Sequence, residues 1–148
     1  MKNAFVFDIP TKLYFGQGTL NRLHELALPG KKALIVISSG KSIRTYGYLD
    51  RVIEELTQAG VAYAIYDGVK ANPTLDNVMA GAAAARESGC DFVIGLGGGS
   101  SMDTAASPGV APMYATVFVS RPSPSKKCCV TRCRPFVETS PSHTSSLA

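Results

Sequence analysis

Three short apolar segments begin at residues 33, 61 and 92, and a stretch with helical spacing follows each of them. The segment starts are 28 and 31 residues apart, which is the length of a strand, a crossover helix and the return to the next strand. Such crossovers are right-handed and make the connected strands parallel. The alternation therefore predicts an α/β domain of the nucleotide-binding type, with a parallel sheet and flanking helices.

Turn-forming residues mark the ends of these elements. Gly60 and Gly89 stand where C-terminal helix caps belong, and Pro73 with Thr74 introduces a helix. Thr74 is the expected N-cap of that helix. Before residue 33 we predict a small strand pair within 5–15 and a short helix that ends at 29–30. After it we predict strands at 33–37, 61–66 and 92–96. The helices that follow these strands are predicted at 46–59, from 74 to Gly89, and from an opening at 97–103.

The glycine run Gly97, Gly98, Gly99, followed by Ser100, is the sharpest local feature of the chain. Glycines without Cβ atoms let backbone N–H groups approach an anion, and the positive end of the following helix points to the same place. We interpret the run as a cradle for a pyrophosphate, and the alternative is a tight strand-to-helix turn that binds nothing. Ser100 and Asp103 also have the spacing of a capping box, which gives Asp103 a structural alternative to ligand contact.

Polar residues also follow the first two predicted strands. Ser39, Gly40, Lys41 and Ser42 come after the first strand, where an acidic residue would bind a ribose 2′-hydroxyl and repel a 2′-phosphate. Because hydroxyls and a lysine offer donors to that phosphate, the loop favours NADP over NAD. An ordinary polar turn is the alternative. Asn72, at the carboxyl end of the second strand, is a candidate polar contact.

The segment after residue 106 differs in composition from the rest of the chain. It holds six of the nine prolines and one of the 14 glycines, and Pro108 interrupts the helix opened by 97–103. The net charge of +4 also arises here: residues 1–106 carry ten Lys/Arg and ten Asp/Glu, whereas 107–148 carry five Lys/Arg against Glu138. We therefore predict a dinucleotide-binding domain at 1–106 and an aberrant, disordered tail at 107–148, with a foreign or frameshifted origin as a hypothesis.

Composition and motif spacing exclude several classes of protein. Cys128, Cys129 and Cys133 crowd into the tail without CxxC spacing, which argues against both a secreted disulfide scaffold and a zinc knuckle. The sequence at His24 fails the HExxH pattern at Leu28, so we assign neither a metal ligand nor a catalytic residue. No run has the length of a membrane span or a secretory core. We expect a cytoplasmic protein without a membrane partner.

From residue 5 to about 105 the chain resembles the amino-terminal domain of the iron-containing, group III, alcohol dehydrogenases. The resemblance covers about two-thirds of the 148 residues. The matching segments are PTKLYFGQG (10–18), KALIVI followed by SSGKSIRTYGYLDRV (32–52), YDGVKANPT (66–74) and GGGSSMDTA (97–105).

This resemblance implies a Rossmann-like fold of the dehydroquinate synthase type, with residues 97–100 on the pyrophosphate and with Asn72 and Asp103 lining the cleft. It also implies that residues 39–42 match the loop of family members that prefer NADP. NAD is the other coenzyme that the chain could bind. The family binds Fe²⁺ or another divalent metal in a helical carboxyl-terminal domain, for which this chain has no ligands. A truncated family member is therefore expected. Full-length relatives would act on a small alcohol or aldehyde, and a homo-oligomer is compatible with that form.

The leading hypothesis is the cofactor-binding half of a metal-dependent alcohol dehydrogenase or aldehyde reductase, an oxidoreductase that transfers hydride between NAD(P) and an alcohol. The chain alone is expected to be inactive, because the metal that polarises the substrate oxygen is missing. The alternative is a non-catalytic nucleotide-binding module whose basic tail binds an anionic partner, although we do not expect nucleic acid. A third hypothesis is a related enzyme such as glycerol dehydrogenase. In the module hypothesis Lys126, Lys127, Arg132 and Arg134 of the tail would be functional, and the alternative is a solvated, disordered segment.

Overall fold

The computed structural model describes residues 11–16, 18–107, 115–120 and 128–133. These residues form one six-stranded sheet and the helices that pack on it. The strands are β1 (Thr11–Gly16), β2 (Lys32–Ser38), β3 (Ala62–Val69), β4 (Phe92–Gly97), β5 (Ala115–Ser120) and β6 (Cys128–Cys133). The helices are a 3-10 helix (Thr19–Glu25), α1 (Ser42–Thr45), α2 (Tyr48–Gln58), α3 (Leu75–Glu87) and α4 (Gly99–Ala106).

The strand order of the sheet is β1-β6-β5-β4-β2-β3. Strands β3, β2, β4 and β5 are parallel, whereas β6 runs antiparallel to both β5 and β1. The predicted parallel sheet with flanking helices is therefore confirmed, and an antiparallel pair extends it at one edge. None of the described helices has the length and apolar character that a membrane crossing requires.

Two layers of helices bury the two faces of the central strands β2 and β4. In β2 the side chains of Ile35 and Ile37 pack with the 3-10 helix and α2, while Leu34 and Val36 pack with α3 and α4. This alternation follows from the two-residue repeat of a strand. All six residues of β4 are buried, so β2 and β4 form the centre of the core.

The helix ends predicted at Gly60, Thr74 and Gly89 are confirmed, whereas the short helix predicted to end at 29–30 is a 3-10 helix that ends at Glu25. Gly60 and Gly89 take φ values of +68° and +61° just after α2 and α3, and these left-handed conformations let their amides bond back to the last turn. Thr74 is the N-cap of α3, although its hydroxyl makes no capping hydrogen bond. The predicted helix at 46–59 begins two residues later because Gly47, with φ +68°, separates α1 from α2.

The segment 107–148 differs from the predicted disordered tail at two places, β5 and β6. Strand β5 pairs in parallel with β4 from Phe92–Ala115 to Gly97–Ser120, and Val119 is 1% exposed. The reason is tertiary context: the edge of a fully buried strand needs a partner for its backbone groups, and the apolar run ATVFV supplies one. Apart from Ser107, the other residues of this segment lie outside the described part, and Lys126, Lys127 and Arg134 are among them.

The strand pair predicted within 5–15 is described only in its second half. That half is β1, whose partner is β6. Residues 5–10 lie outside the described part of the chain. The boundary between 106 and 107 remains a prediction.

Candidate functional site

A cavity of about 390 Å³ lies at the carboxyl ends of β2 and β4. Its lining comes from Ser38, Ser42 and Ile43 on the β2 side and from 97–102 on the β4 side. The chain passes from β2 outward to β3 and then returns across β2 to β4, so the direction of the strand order reverses between β2 and β4. Open α/β sheets bind ligands in the crevice at such a reversal. The topology therefore places this cavity where a ligand is expected.

The three glycines of the 97–99 run have different structural reasons to be glycine. Gly97 has φ +137°, and a Cβ on it would lie 3.1 Å from Ser101 Oγ and 3.5 Å from Ile43 Cδ1. A tight turn accounts for this glycine. A Cβ on Gly98 or Gly99 would meet nothing within 4 Å, and Gly98 has φ −95°, which any residue adopts. The turn alone therefore does not explain the last two glycines, which leave their backbone uncovered.

The first turn of α4 has no side-chain cap. Gly98 is the N-cap residue, and the amide of Met102 donates to its carbonyl oxygen at 3.2 Å. The amides before Met102 have no acceptor one turn back, and the positive end of the helix dipole lies beside them. An anion at this position would accept hydrogen bonds from these amides.

The capping box expected from Ser100 and Asp103 is not formed. Ser100 lies inside the first turn of α4, where its carbonyl oxygen accepts a 2.9 Å hydrogen bond from the Thr104 hydroxyl. Asp103 is exposed, and its carbonyl oxygen accepts a 2.6 Å bond from Ser107. The prediction fails because α4 begins at Gly99, so the spacing falls within the helix instead of across its start.

The predicted cofactor loop 39–42 contributes one residue, Ser42, to the cavity lining. Ser39 donates its amide to the carbonyl oxygen of Val69 at 3.0 Å, which ties the loop to the end of β3. Gly40 and Lys41 are exposed beside the cavity, and Lys41 is the N-cap of α1. The loop thus stands next to the glycine turn through Ser42, but most of its residues are not in the lining.

Asn72 and Asp103, like Ser39, Gly40 and Lys41, are predicted site residues that the structure does not bring into the cavity lining. Asn72 is exposed in the connection from β3 to α3 and has φ +54°, a left-handed conformation that asparagine tolerates. It lies at the same edge of the sheet as the glycine turn, since the carboxyl ends of parallel strands share an edge. The roles of Asn72 and Asp103 as cofactor contacts remain predictions.

Four residues of the lining were not identified from the sequence: Ser38, Ile43, Ser101 and Met102. Ser38 ends β2 and Ile43 is buried in α1, so their place in the site depends on how β2 and β4 meet. A signal existed for Ser101, because a hydroxyl in the first turn of a helix after a glycine run often faces a ligand or a cap.

Two buried titratable side chains, Glu55 and Cys90, lie outside the cavity. Glu55, buried in α2, accepts a 3.1 Å bond from the His24 amide, and its carboxylate lies 2.6 Å from His24 Nδ1. Burial raises the pKa of the Cys90 thiol, and the carboxylate of Asp91 raises it further against the opposing effect of Lys32. A thiol of raised pKa is a poor nucleophile. Within the described ranges no three His, Cys, Asp or Glu residues cluster as metal ligands would.

Comparison with known proteins gives one family. Residues 10–127 match the family described as iron-containing alcohol dehydrogenase. The NADPH-dependent butanol dehydrogenase of Clostridium saccharobutylicum is 36% identical over 99 residues, which are 67% of this chain and 25% of that protein. The probable NADH-dependent butanol dehydrogenase 1 of Bacillus subtilis is 39% identical over 99 residues, with 67% and 26% covered.

A solved structure has the same fold. The crystal structure of an iron-containing alcohol dehydrogenase from Thermotoga maritima is similar with a TM-score of 0.61 and 40% identity, over 69% of this chain and 28% of that one. The chain thus spans about a quarter of the length of the relatives it matches.

Proposed function

Because the chain belongs to the iron-containing alcohol dehydrogenase family, we propose that it forms the cofactor-binding part of an alcohol dehydrogenase or aldehyde reductase. In this proposal the turn 97–100 binds the diphosphate of a nicotinamide dinucleotide. The observation that carries it is the start of α4, where uncapped amides and two uncovered glycines face a cavity at the reversal of the strand order. Fold and local geometry point to the same ligand chemistry.

Each part of the turn would have a separate role in binding. Gly97 bends the chain out of β4 so that α4 starts with its amides toward the cavity. Gly98 and Gly99 leave room for phosphate oxygens to approach within hydrogen-bond distance of the backbone. The amides of the first turn then donate to a charged acceptor, which makes stronger hydrogen bonds than a neutral one. When bound, a nicotinamide dinucleotide supplies or accepts the hydride of the reaction.

We further propose that the cofactor is NADP, with NAD as the weaker ligand. Residues 39–42 contain no carboxylate, and Lys41 is an exposed cation beside the cavity. The nearby carboxylate of Asp67, on β3, pairs with Arg44 of α1 at 2.8 Å, and this pairing offsets its repulsion of a phosphate. Relatives of similar identity are named for NADPH in one case and NADH in the other, so this preference depends on the loop alone.

The family metal does not fit the residues that the structure describes. No group of three potential ligands occurs among them, and neither His24 nor Cys90 lines the cavity. We therefore derive no metal-dependent step for this chain. It is expected to bind the dinucleotide without appreciable alcohol oxidation, and turnover by the purified chain with added Fe²⁺ or Zn²⁺ would contradict that expectation.

A direct titration tests the cofactor proposal. Fluorescence of NADPH and of NADH is followed as the purified chain is added, and inorganic pyrophosphate then competes for the site. Binding of NADPH that is tighter than that of NADH and is displaced by pyrophosphate is the expected result. Tighter binding of NADH would refute the loop argument, whereas a failure of both dinucleotides to bind would refute the cofactor site itself.

A further inference from the structure

Ser101 carries a buried hydroxyl for which the described residues offer no hydrogen-bond partner. Its side chain is 0% exposed, and it lines the cavity as the third residue of α4. Its Oγ lies 3.1 Å from the point that a Cβ on Gly97 would occupy. The hydroxyl is therefore packed against the glycine turn, at the same helix start whose amides face the cavity.

Thr104 shows what a buried hydroxyl on the same helix does when it has only a structural role. Thr104 is also 0% exposed, and its Oγ1 donates to the Ser100 carbonyl oxygen, four residues earlier, at 2.9 Å. Ser101 lacks this option because α4 begins at Gly99, so no complete turn precedes it. One helix thus holds two buried hydroxyls, one satisfied by the backbone and one left without an acceptor.

An unpaired buried hydroxyl is unfavourable, and an alanine would fill the same place without that cost. Packing alone therefore does not explain serine at position 101. The hydroxyl is on a single rotatable bond, so it can turn from Gly97 toward the cavity that the residue lines. A charged acceptor held by the neighbouring amides would complete its hydrogen bonding.

We propose that the Ser101 hydroxyl is a binding residue that donates to a phosphate oxygen of the dinucleotide's diphosphate. This inference rests on the proposed function, since it takes the ligand of the 97–100 turn to be a diphosphate. It adds a side-chain donor to a site otherwise built from backbone amides. It also predicts a trade-off, because the hydroxyl that strengthens binding is unfavourable in the free protein.

The test compares Ser101→Ala with Thr104→Val in the full 148-residue chain. Thermal unfolding is measured without ligand, and binding is measured for adenosine, AMP, ADP and NADPH. Removing the unpaired hydroxyl should raise Tm by a few degrees, whereas removing the paired one in Thr104→Val should lower it. Ser101→Ala should weaken ADP and NADPH about 10- to 100-fold, as loss of a hydrogen bond to a charged group does, and leave adenosine binding unchanged.

The series of ligands locates the contact. An equal loss for adenosine and ADP would place the effect away from the phosphates and overturn the proposal. Unchanged ADP binding by Ser101→Ala, or a fall in its Tm like that of Thr104→Val, would also overturn it while leaving the cofactor site intact. If the unaltered chain binds neither ADP nor NADPH, the proposed function fails, and the inference fails with it.

Discussion

Replacing Gly98 by alanine separates a binding role of the glycine run from a folding role. Two effects on stability oppose each other in Gly98→Ala. The backbone at Gly98, with φ −95° and ψ −169°, accepts alanine, and a Cβ there meets nothing within 4 Å. Lower entropy of the unfolded chain stabilises such a variant by about 0.4–1 kcal/mol. Alanine is a poorer N-cap than glycine by about 1 kcal/mol, so the net change should be close to zero.

Binding should respond very differently to this change. The added methyl group lies in the uncovered space through which a phosphate reaches the first-turn amides. Loss of one hydrogen bond to a charged group corresponds to about 1.5–3 kcal/mol, and we therefore expect ADP and NADPH to bind roughly 10- to 100-fold more weakly. Fluorescence titration measures this loss, and circular dichroism during heating checks that Tm is unchanged.

Gly97→Ala is the matched comparison, because it adds the same methyl group to the neighbouring residue. Its backbone has φ +137°, and its Cβ would crowd Ser101 Oγ at 3.1 Å. A residue held in such a conformation costs about 1–3 kcal/mol, which should lower Tm by several degrees. If Gly98→Ala binds ADP as tightly as the unaltered chain does, the run is only a turn and the cradle argument is refuted.

Two further predictions concern cofactor choice and pH. Ser39→Asp should weaken the binding of NADPH at least about tenfold relative to that of NADH, because a carboxylate at the end of β2 repels the 2′-phosphate. Ser39→Asn is the neutral control. If both changes affect the binding of the two coenzymes equally, the loop argument is contradicted. Burial raises the pKa of Cys90 above its ordinary value of 9.0, so its contribution to stability is present below that pH and is lost as the pH rises through the higher value of the folded protein. Chemical denaturation should therefore show a decline in stability above pH ~9 that is smaller in Cys90→Ala, and an identical decline in both proteins would exclude Cys90 as its source.

The elements that could be predicted from the sequence are those that a local pattern of apolar residues or glycines marks. β2 and β4 are continuous apolar runs because both of their faces are covered, and Gly60 and Gly89 end helices through left-handed backbone conformations. No comparable local pattern marks β6. It is paired by β5 and β1, so its strand conformation depends on neighbours that are distant in sequence.

The candidate site was predictable to the extent that it consists of backbone. Glycines reveal where backbone must be exposed, and the run 97–99 could therefore be identified without a structure. The contribution of Ser38 and Ile43 to the lining could not be predicted, because these residues reach the site only when the crossovers bring the ends of β2 and β4 together. The capping-box expectation for Ser100 failed for a related reason, because the N-cap is Gly98, two residues before Ser100, and a shift in the helix start changes every capping role.

The contacts that join the two halves of the site also determine how its stability and its binding are related. Ile43 Cδ1 and Ser101 Oγ both lie close to Gly97, so the first turn of α4 packs against α1 through the one glycine of the 97–99 run at which a Cβ would be crowded. A change at Gly97 should therefore disturb the orientation of the first-turn amides as well as the core, and should weaken stability and binding together. Gly98 touches neither neighbour, and its replacement should affect binding alone. Stability and binding should therefore change together at Gly97 and separately at Gly98. This difference is expected of a site in which packing fixes the turn at one glycine while the next glycine leaves space for the ligand.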